Sequence, residues 1–400
     1  MNKNPNFNQL PDRYLFKEIV LRSQEYSRQH PSHRLLHLGI GDVSFPLPKP
    51  IIEAMHKAVD EMGGAETFRG YGPEEGYSWL RQAIIANDFN PCGIDLELDE
   101  VFVSDGAGSD LGNLNELFLP NNRVAICDPS YPAYVDSSIM AGREVLQLPC
   151  TPQNNFIPEL PRERADIIFL CFPNNPTGVV LTRQQLQQWV DYAIKQKSII
   201  IFDAAYECFI EDSDVPHSIY ELKGAKQVAI EVHSFSKSAG FTGLRCGYTI
   251  VPKETGLQAM WLRRQSTKYN GTSYITQRAA MATFSPEGRK ALNENICYYR
   301  ETARMLYDGL KTLDFEVYGG KNSPYLWCRT PKGMKSWEFF DLLLAECQIV
   351  CTPGVGFGEG GEGFVRFSAF SKREDCKEAI KRIQQKKIEI NNNKVRLCVE

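Results

Sequence analysis

Ser234-Phe235-Ser236-Lys237-Ser238-Ala239-Gly240-Phe241-Thr242-Gly243-Leu244-Arg245-Cys246-Gly247 sets a lysine just after an apolar run, between two serines, with an arginine eight positions on. A lysine amine, with a pKa of about 10, is a poor nucleophile unless its surroundings discourage the charge. Hydroxyls and a guanidinium beside it make a pocket for a phosphate dianion. A lone Ser-x-Lys reads as a solvated loop, so the segments on either side decide what this lysine does.

Upstream, Phe202-Asp203-Ala204-Ala205-Tyr206-Glu207 follows the apolar run Ile199-Ile200-Ile201. An acidic residue at the carboxyl end of a buried parallel strand points into the ligand crevice. Cys171-Phe172-Pro173-Asn174-Asn175-Pro176-Thr177-Gly178 also follows an apolar run, and Ser104-Asp105-Gly106-Ala107-Gly108-Ser109 is a glycine-rich turn between a strand and a helix. The backbone N–H groups of such a turn cradle phosphate. A phosphate and a reactive lysine in one pocket are what a pyridoxal phosphate aldimine requires. Asp203 would pair with the pyridinium nitrogen, and Asn175 and Tyr206 would reach the phenolic oxygen. Asn-Pro-x-Gly alone is usually only a turn; four strand-end signals in one order are more than coincidence.

Further outward, residues 100–250 alternate short apolar runs with helical stretches such as Thr182–Lys195, where Thr182 is an N-cap candidate and Gln185 a weak capping-box partner. This predicts an α/β fold with a mostly parallel sheet covered on both faces. Ile51–Met62 and Trp79–Phe89 read as helices, and residues 257–313 as helices broken near Asn270-Gly271 and restarting at Ser285. Strand-like pieces at Phe315–Tyr318, Tyr325–Cys328, Ile349–Thr352 and Phe364–Phe367 mix with helices in a smaller α+β domain. Residues 1–45 read as an irregular arm that also contributes to the small domain, 46–285 as the large cofactor-binding domain, 286–387 as the small domain and 388–400 as a flexible tail.

Composition narrows the class. The chain has 400 residues, 45 Lys+Arg against 49 Asp+Glu, and a net charge of −4. A pI near 6.0 without a basic run argues against nucleic-acid binding. Mean hydropathy is −0.33, and no apolar stretch approaches the ~18–20 residues of a membrane helix. Met1–Asn6 lacks the apolar core of a secretion signal, which predicts a cytoplasmic protein. The 12 cysteines form no Cys-x-x-Cys pair, and His30, His33 and His37 straddle Pro31. Reduced core thiols and no metal site are expected. Gly356-Phe357-Gly358-Glu359-Gly360-Gly361 looks like a dinucleotide fingerprint but follows no βαβ strand, so it reads as a turn.

The chain resembles the fold-type I pyridoxal-phosphate aminotransferases of class I/II over residues 10–387. Within them it is most similar to the LL-diaminopimelate aminotransferases. The resemblance is carried by Tyr71 in Thr67–Glu74, by Asp128-Pro129-Ser130-Tyr131-Pro132-Ala133-Tyr134, by Phe241-Thr242-Gly243, by Lys268-Tyr269-Asn270-Gly271 and by Gly361–Ser368. It implies that Lys237 forms the internal aldimine and moves the proton, with Asp203 and Tyr206 completing the catalytic set. Tyr131 would stack on the cofactor ring. Ser234, Ser236, Arg245, Ala107 and Gly108 would hold the phosphate, with Asn270 also near the cofactor. Tyr71 would reach the phosphate of a neighbouring subunit, making a homodimer with shared sites. Arg366 would clamp the α-carboxylate, and Tyr14, Gly41, Glu74, Tyr131, Asn175 and Asn270 would line the substrate side. The partners implied are small amino acids and 2-oxoacids. Family members usually carry lysine at the position of Gly108, so an aminotransferase acting on lysine or another amino acid stays open beside the diaminopimelate reaction. A C–S lyase of the same fold stays open as well.

Overall fold

The structure of the protein, a computed structural model, describes residues 1–11, 14–331 and 333–386. The expected tail, 388–400, lies outside the described residues. In chain order the strands are β1 (Leu36–His37), β2 (Val101–Ser104), β3 (Val124–Asp128), β4 (Val145–Pro149), β5 (Ile167–Cys171), β6 (Ile199–Asp203), β7 (Ala229–Ser234) and β8 (Gly247–Ile250). Then come β9 (Val317–Gly319), β10 (Tyr325–Arg329), β11 (Ile349–Val350), β12 (Thr352–Pro353) and β13 (Phe364–Ser368).

Strands β2 to β8 form one sheet in the order β2-β8-β7-β6-β5-β3-β4. Strand β8 is antiparallel to both neighbours and every other adjacent pair is parallel. The apolar runs explain this. Ile167 to Cys171 are all buried, with Ile168 and Leu170 in one core cluster and Ile167 and Phe169 in another. A strand buried on both faces needs apolar side chains in both directions, each contributing ~1.5–3 kcal/mol relative to exposure. The covering helix Arg183–Gln196 is closed by a full capping box. The Gln185 N–H donates to Thr182 Oγ1 at 3.2 Å, and the Thr182 N–H donates to Gln185 Oε1 at 2.9 Å. Gln185 is therefore a better capping partner than its residue type suggested.

A four-stranded antiparallel sheet, β12-β13-β10-β9, and the parallel pair β1-β11 build the second lobe. Three sequence readings change here. Residues 1–45 hold a helix, Leu15–Gln29, rather than only irregular chain. Its buried stripe is Leu15, Ile19 and Ser23, and Phe16 meets the edge of Phe357 at 6.3 Å. The expected strand Ile349–Thr352 is two, because β11 pairs with β1 whereas β12 pairs with β13. The helix expected over Trp79–Phe89 is α-helical from Ser78 to Ile84 and continues as a π turn from Ile85 to Phe89.

Eight of the eleven described cysteines are buried free thiols. Among the described residues no helix is long and apolar enough to cross a membrane. Nor does any group of three or more His, Cys, Asp or Glu among them present a metal site.

Candidate active site

Segments leaving the carboxyl ends of β2, β3, β5, β6 and β7 converge on a cavity of about 360 Å³. Sheet register brings them together. Cys171 lies opposite Asp203, and Asp203 opposite Val232. Ser104 and Ser234 both flank Gly247. A Cβ at Gly247 would sit 2.9 Å from the Ala107 nitrogen and 2.6 Å from the His233 oxygen, so only glycine lets these turns close.

Lys237 projects into the cavity and its Nζ donates to the Gly41 carbonyl. Burial lowers its pKa to about 8; Asp42 opposes this, and the Arg366 and Arg245 charges add to it. Asp203 is buried, which raises its pKa. Two donors work against that shift: Tyr134 Oη donates to Oδ2 at 2.6 Å, and the Ala205 N–H donates to Oδ1 at 3.0 Å. Arg245 occupies the left-handed region at φ 60°, rare for a side chain of its kind and a mark of functional sites. Its Nη1 lies 3.4 Å from Ser236 Oγ, and a Cβ at Gly106 would stand 2.6 Å from its Nη2. Hydroxyls, guanidinium and bare glycine backbone thus share one corner, the donor set a phosphate needs.

Arg366 is 1% exposed. Its Nη1 donates to Asn175 Oδ1 at 2.6 Å and its Nη2 to the Gly39 carbonyl at 2.7 Å. The guanidinium carbon stands 4.3 Å from the Tyr325 ring centroid and 4.9 Å from that of Phe357. Among the described residues no carboxylate pairs with it, and its Nε has no partner. A buried cation without a counter-charge is costly unless an anion arrives.

The profile of the family described as "Aminotransferase class I and II" matches residues 33–383. The chain belongs to the class I and II aminotransferases. An LL-diaminopimelate aminotransferase of Bacteroides fragilis is 53% identical, across 96% of this chain and 99% of its own. One of Bacteroides thetaiotaomicron is 52% identical, across 95% and 98%. The solved structure of the L,L-diaminopimelate aminotransferase from Chlamydomonas reinhardtii superposes with a TM-score of 0.91 at 42% identity, over 96% of this chain and 98% of that one. Aminotransferases of this family are pyridoxal-phosphate enzymes, and the cavity's donors suit that cofactor.

In this aminotransferase the residues singled out from sequence divide into two sets. Gly41, Ala107, Gly108, Tyr131, Asn175, Asp203, Tyr206, Ser234, Ser236, Lys237, Arg245 and Arg366 all line the cavity. Tyr14, Tyr71, Glu74 and Asn270 do not. Tyr14 stands at the rim, 42% exposed, its hydroxyl raised in pKa by burial and by Tyr131. Tyr71 is 94% exposed, and Gly271, next to Asn270, stands against Pro73 and Glu74. The Tyr77 N–H donates to Gln277 Oε1 at 2.8 Å, and a Cβ at Gly271 would stand 2.9 Å from the Pro73 oxygen. Loop and turn are therefore held together on helix Tyr274–Thr283.

Sequence reading missed Tyr134, Tyr325, Phe357 and Thr242. Tyr134 lay in the quoted 128–134 segment, three positions after Tyr131, a spacing that puts both rings on one side of a helix. Its hydroxyl stabilises the charged form of Asp203. Tyr134→Phe should therefore raise the Asp203 pKa further. Activity that needs the carboxylate exists above that pKa and is lost as pH falls through it, so the acidic limb of the kcat/KM profile should move to higher pH. A fall in kcat of about tenfold should accompany it, one charge-assisted bond's worth. An unmoved limb in a pH-rate series would remove Tyr134 from this role.

Proposed function

We propose that the protein transfers the amine of LL-2,6-diaminopimelate to 2-oxoglutarate, giving tetrahydrodipicolinate and glutamate, with pyridoxal phosphate held on Lys237. The observation that carries the reading is Arg366, a buried guanidinium with two anchored N–H donors and no carboxylate partner. Both the amino donor and the oxoacid acceptor bring an α-carboxylate to it. The high-identity relatives named LL-diaminopimelate aminotransferase support the substrate. The bound cofactor supplies an electron sink for the Cα carbanion. Lys237 holds or moves a proton at Nζ, and Asp203 presents a carboxylate to the ring nitrogen. Asn175 and Tyr206 orient the phenolic oxygen, Tyr131 covers the ring, and Ser234, Ser236, Arg245, Ala107 and Gly108 retain the phosphate. In this reading the protein serves the synthesis of lysine and peptidoglycan precursors in the cytoplasm.

The active unit in this reading is a homodimer. Helix Lys49–Gly63 packs on Tyr274–Thr283, and the pair leaves Ile52, Val59 and Met281 exposed, with Phe68 and Tyr71 on the adjoining loop also in solvent. Apolar side chains exposed in this number mark an interface. It would carry Tyr71, Glu74 and Asn270 into the partner's cavity. The domain border falls near residue 285, ahead of the long helix Pro286–Thr312.

A second reading is favoured by Gly108. It lies on the cavity wall, and a Cβ there would meet nothing within 4 Å. The wall thus has room and no cation at this point, which suits a donor without a distal carboxylate, such as lysine. The test is a donor panel with 2-oxoglutarate: LL-diaminopimelate, meso-diaminopimelate, lysine and ornithine. LL-diaminopimelate should give the highest kcat/KM. Turnover of lysine alone would replace the first reading with the second. Release of oxoacid and ammonia without an acceptor would mean a lyase.

A further inference from the structure

We propose that Tyr325 is a positioning residue: it donates its hydroxyl proton to Tyr206 while its ring carries the Arg366 guanidinium, tying the carboxylate clamp to the tyrosine that faces the cofactor's phenolic oxygen. The inference rests on the cofactor reading above.

Tyr325 is on β10 of the smaller sheet and Tyr206 follows β6 of the large one, so the contact joins the two lobes. Their hydroxyl oxygens are 3.0 Å apart, and among the described residues neither hydroxyl has another hydrogen-bond partner. Each phenol has one proton to give. Both tyrosines line the cavity, and the cofactor reading, which sets Tyr206 at the phenolic oxygen, decides the order. Tyr325 donates to Tyr206, and Tyr206 turns its own proton into the cavity. An anionic acceptor there polarises the pair in that direction. Burial raises the pKa of both phenols, so both protons stay available across the working range.

The mount is rigid. A Cβ at Gly178 would stand 2.4 Å from the Tyr325 carbonyl oxygen, and one at Gly41 would stand 2.6 Å from its hydroxyl. Backbone from two other segments therefore closes on this one residue, Gly178 on its main chain and Gly41 on its hydroxyl, where larger residues would collide. The ring face lies under Arg366 at 4.3 Å, a cation–π contact in a buried setting. Arg366 also holds Asn175. Both expected donors to the phenolic oxygen are thus connected to the arginine that receives the carboxylate.

The test uses the pyridoxal-phosphate-loaded enzyme, with Tyr325→Phe, Tyr325→Leu and, for reference, Tyr206→Phe. The readout is the pH midpoint of the bound cofactor's visible absorbance change without substrate. Lys237, Asp203, Asp42, Arg245 and Arg366, the charged groups around the pair, stay in place in every variant. A hydrogen bond donated to the phenolic oxygen stabilises its anion, so loosening that bond raises the midpoint. Tyr325→Phe should move it up by about 0.5–1 pH unit, in the direction of Tyr206→Phe, with the donor KM nearly unchanged because the ring remains. Tyr325→Leu should add a rise in KM of about tenfold. If it fails to fold, Tyr325→Phe carries the test alone. A wild-type midpoint in Tyr325→Phe beside a shifted Tyr206→Phe overturns this role and leaves the cofactor reading standing. If Tyr206→Phe is also unshifted, both the role and the Tyr206 assignment fall.

Discussion

Lys237→Ala abolishes transamination and the visible absorbance of the loaded protein: that is the expected result, a loss of at least ~10⁴-fold. Lys237 is the lysine of the cavity wall, and its Nζ is already aimed by the Gly41 carbonyl. With its pKa brought down to about 8, it carries about two orders of magnitude more free amine at neutral pH than an ordinary lysine. That is what a nucleophile and proton carrier needs. The same shift sets a pH dependence. The neutral amine predominates above about 8 and is lost below it, so capture of added pyridoxal phosphate by the wild-type protein should speed up as pH rises through that value. A borohydride-trapped mass increase on Lys237, absent in the variant, checks the link, and circular dichroism checks the fold. Transamination retained by Lys237→Ala would remove this residue from the chemistry.

The large sheet was legible because its central strands are almost wholly buried. Ile199-Ile200-Ile201-Phe202 has little choice but a two-faced core, and the polar residue that ends each run, Asp203 or Ser234, marks the crevice edge. The helix Leu15–Gln29 was not legible. Its stripe is short and has Ser23 in the third buried place, and its N-cap, Tyr14, makes no side-chain capping hydrogen bond. Its order comes from tertiary contacts such as Phe16 with Phe357. The site divides along the same line. Residues on turns straight after strands were found because such turns have marked compositions. Tyr325 was invisible because it reads as one more aromatic in a buried strand, and what distinguishes it is a hydroxyl meeting Tyr206 across more than a hundred residues. Tyr71, Glu74 and Asn270 do not line their own chain's cavity, and the loop and turn that carry them are joined over one helix, which no local pattern records.

Arg366→Lys should lower kcat/KM for the amino donor and for 2-oxoglutarate alike, by about 10²–10⁴-fold, mainly through KM. Two roles compete for this residue. As a structural tie it joins β13 to the Asn175 turn and to Gly39. As a clamp it receives a carboxylate. The geometry weighs towards the clamp. A tie does not need a full charge, and keeping one buried without a counter-ion costs several kcal/mol, which a bound carboxylate offsets. An ammonium cannot reproduce it, since a single nitrogen cannot bond Asn175 Oδ1 and the Gly39 carbonyl and still present a planar fork. The stacked rings of Tyr325 and Phe357 also lose the flat cation they hold. The outcomes separate the roles. A clamp predicts raised KM for both half-reactions with a melting temperature nearly that of the wild type. A tie alone predicts a lower melting temperature, with KM little changed in the fraction that remains folded.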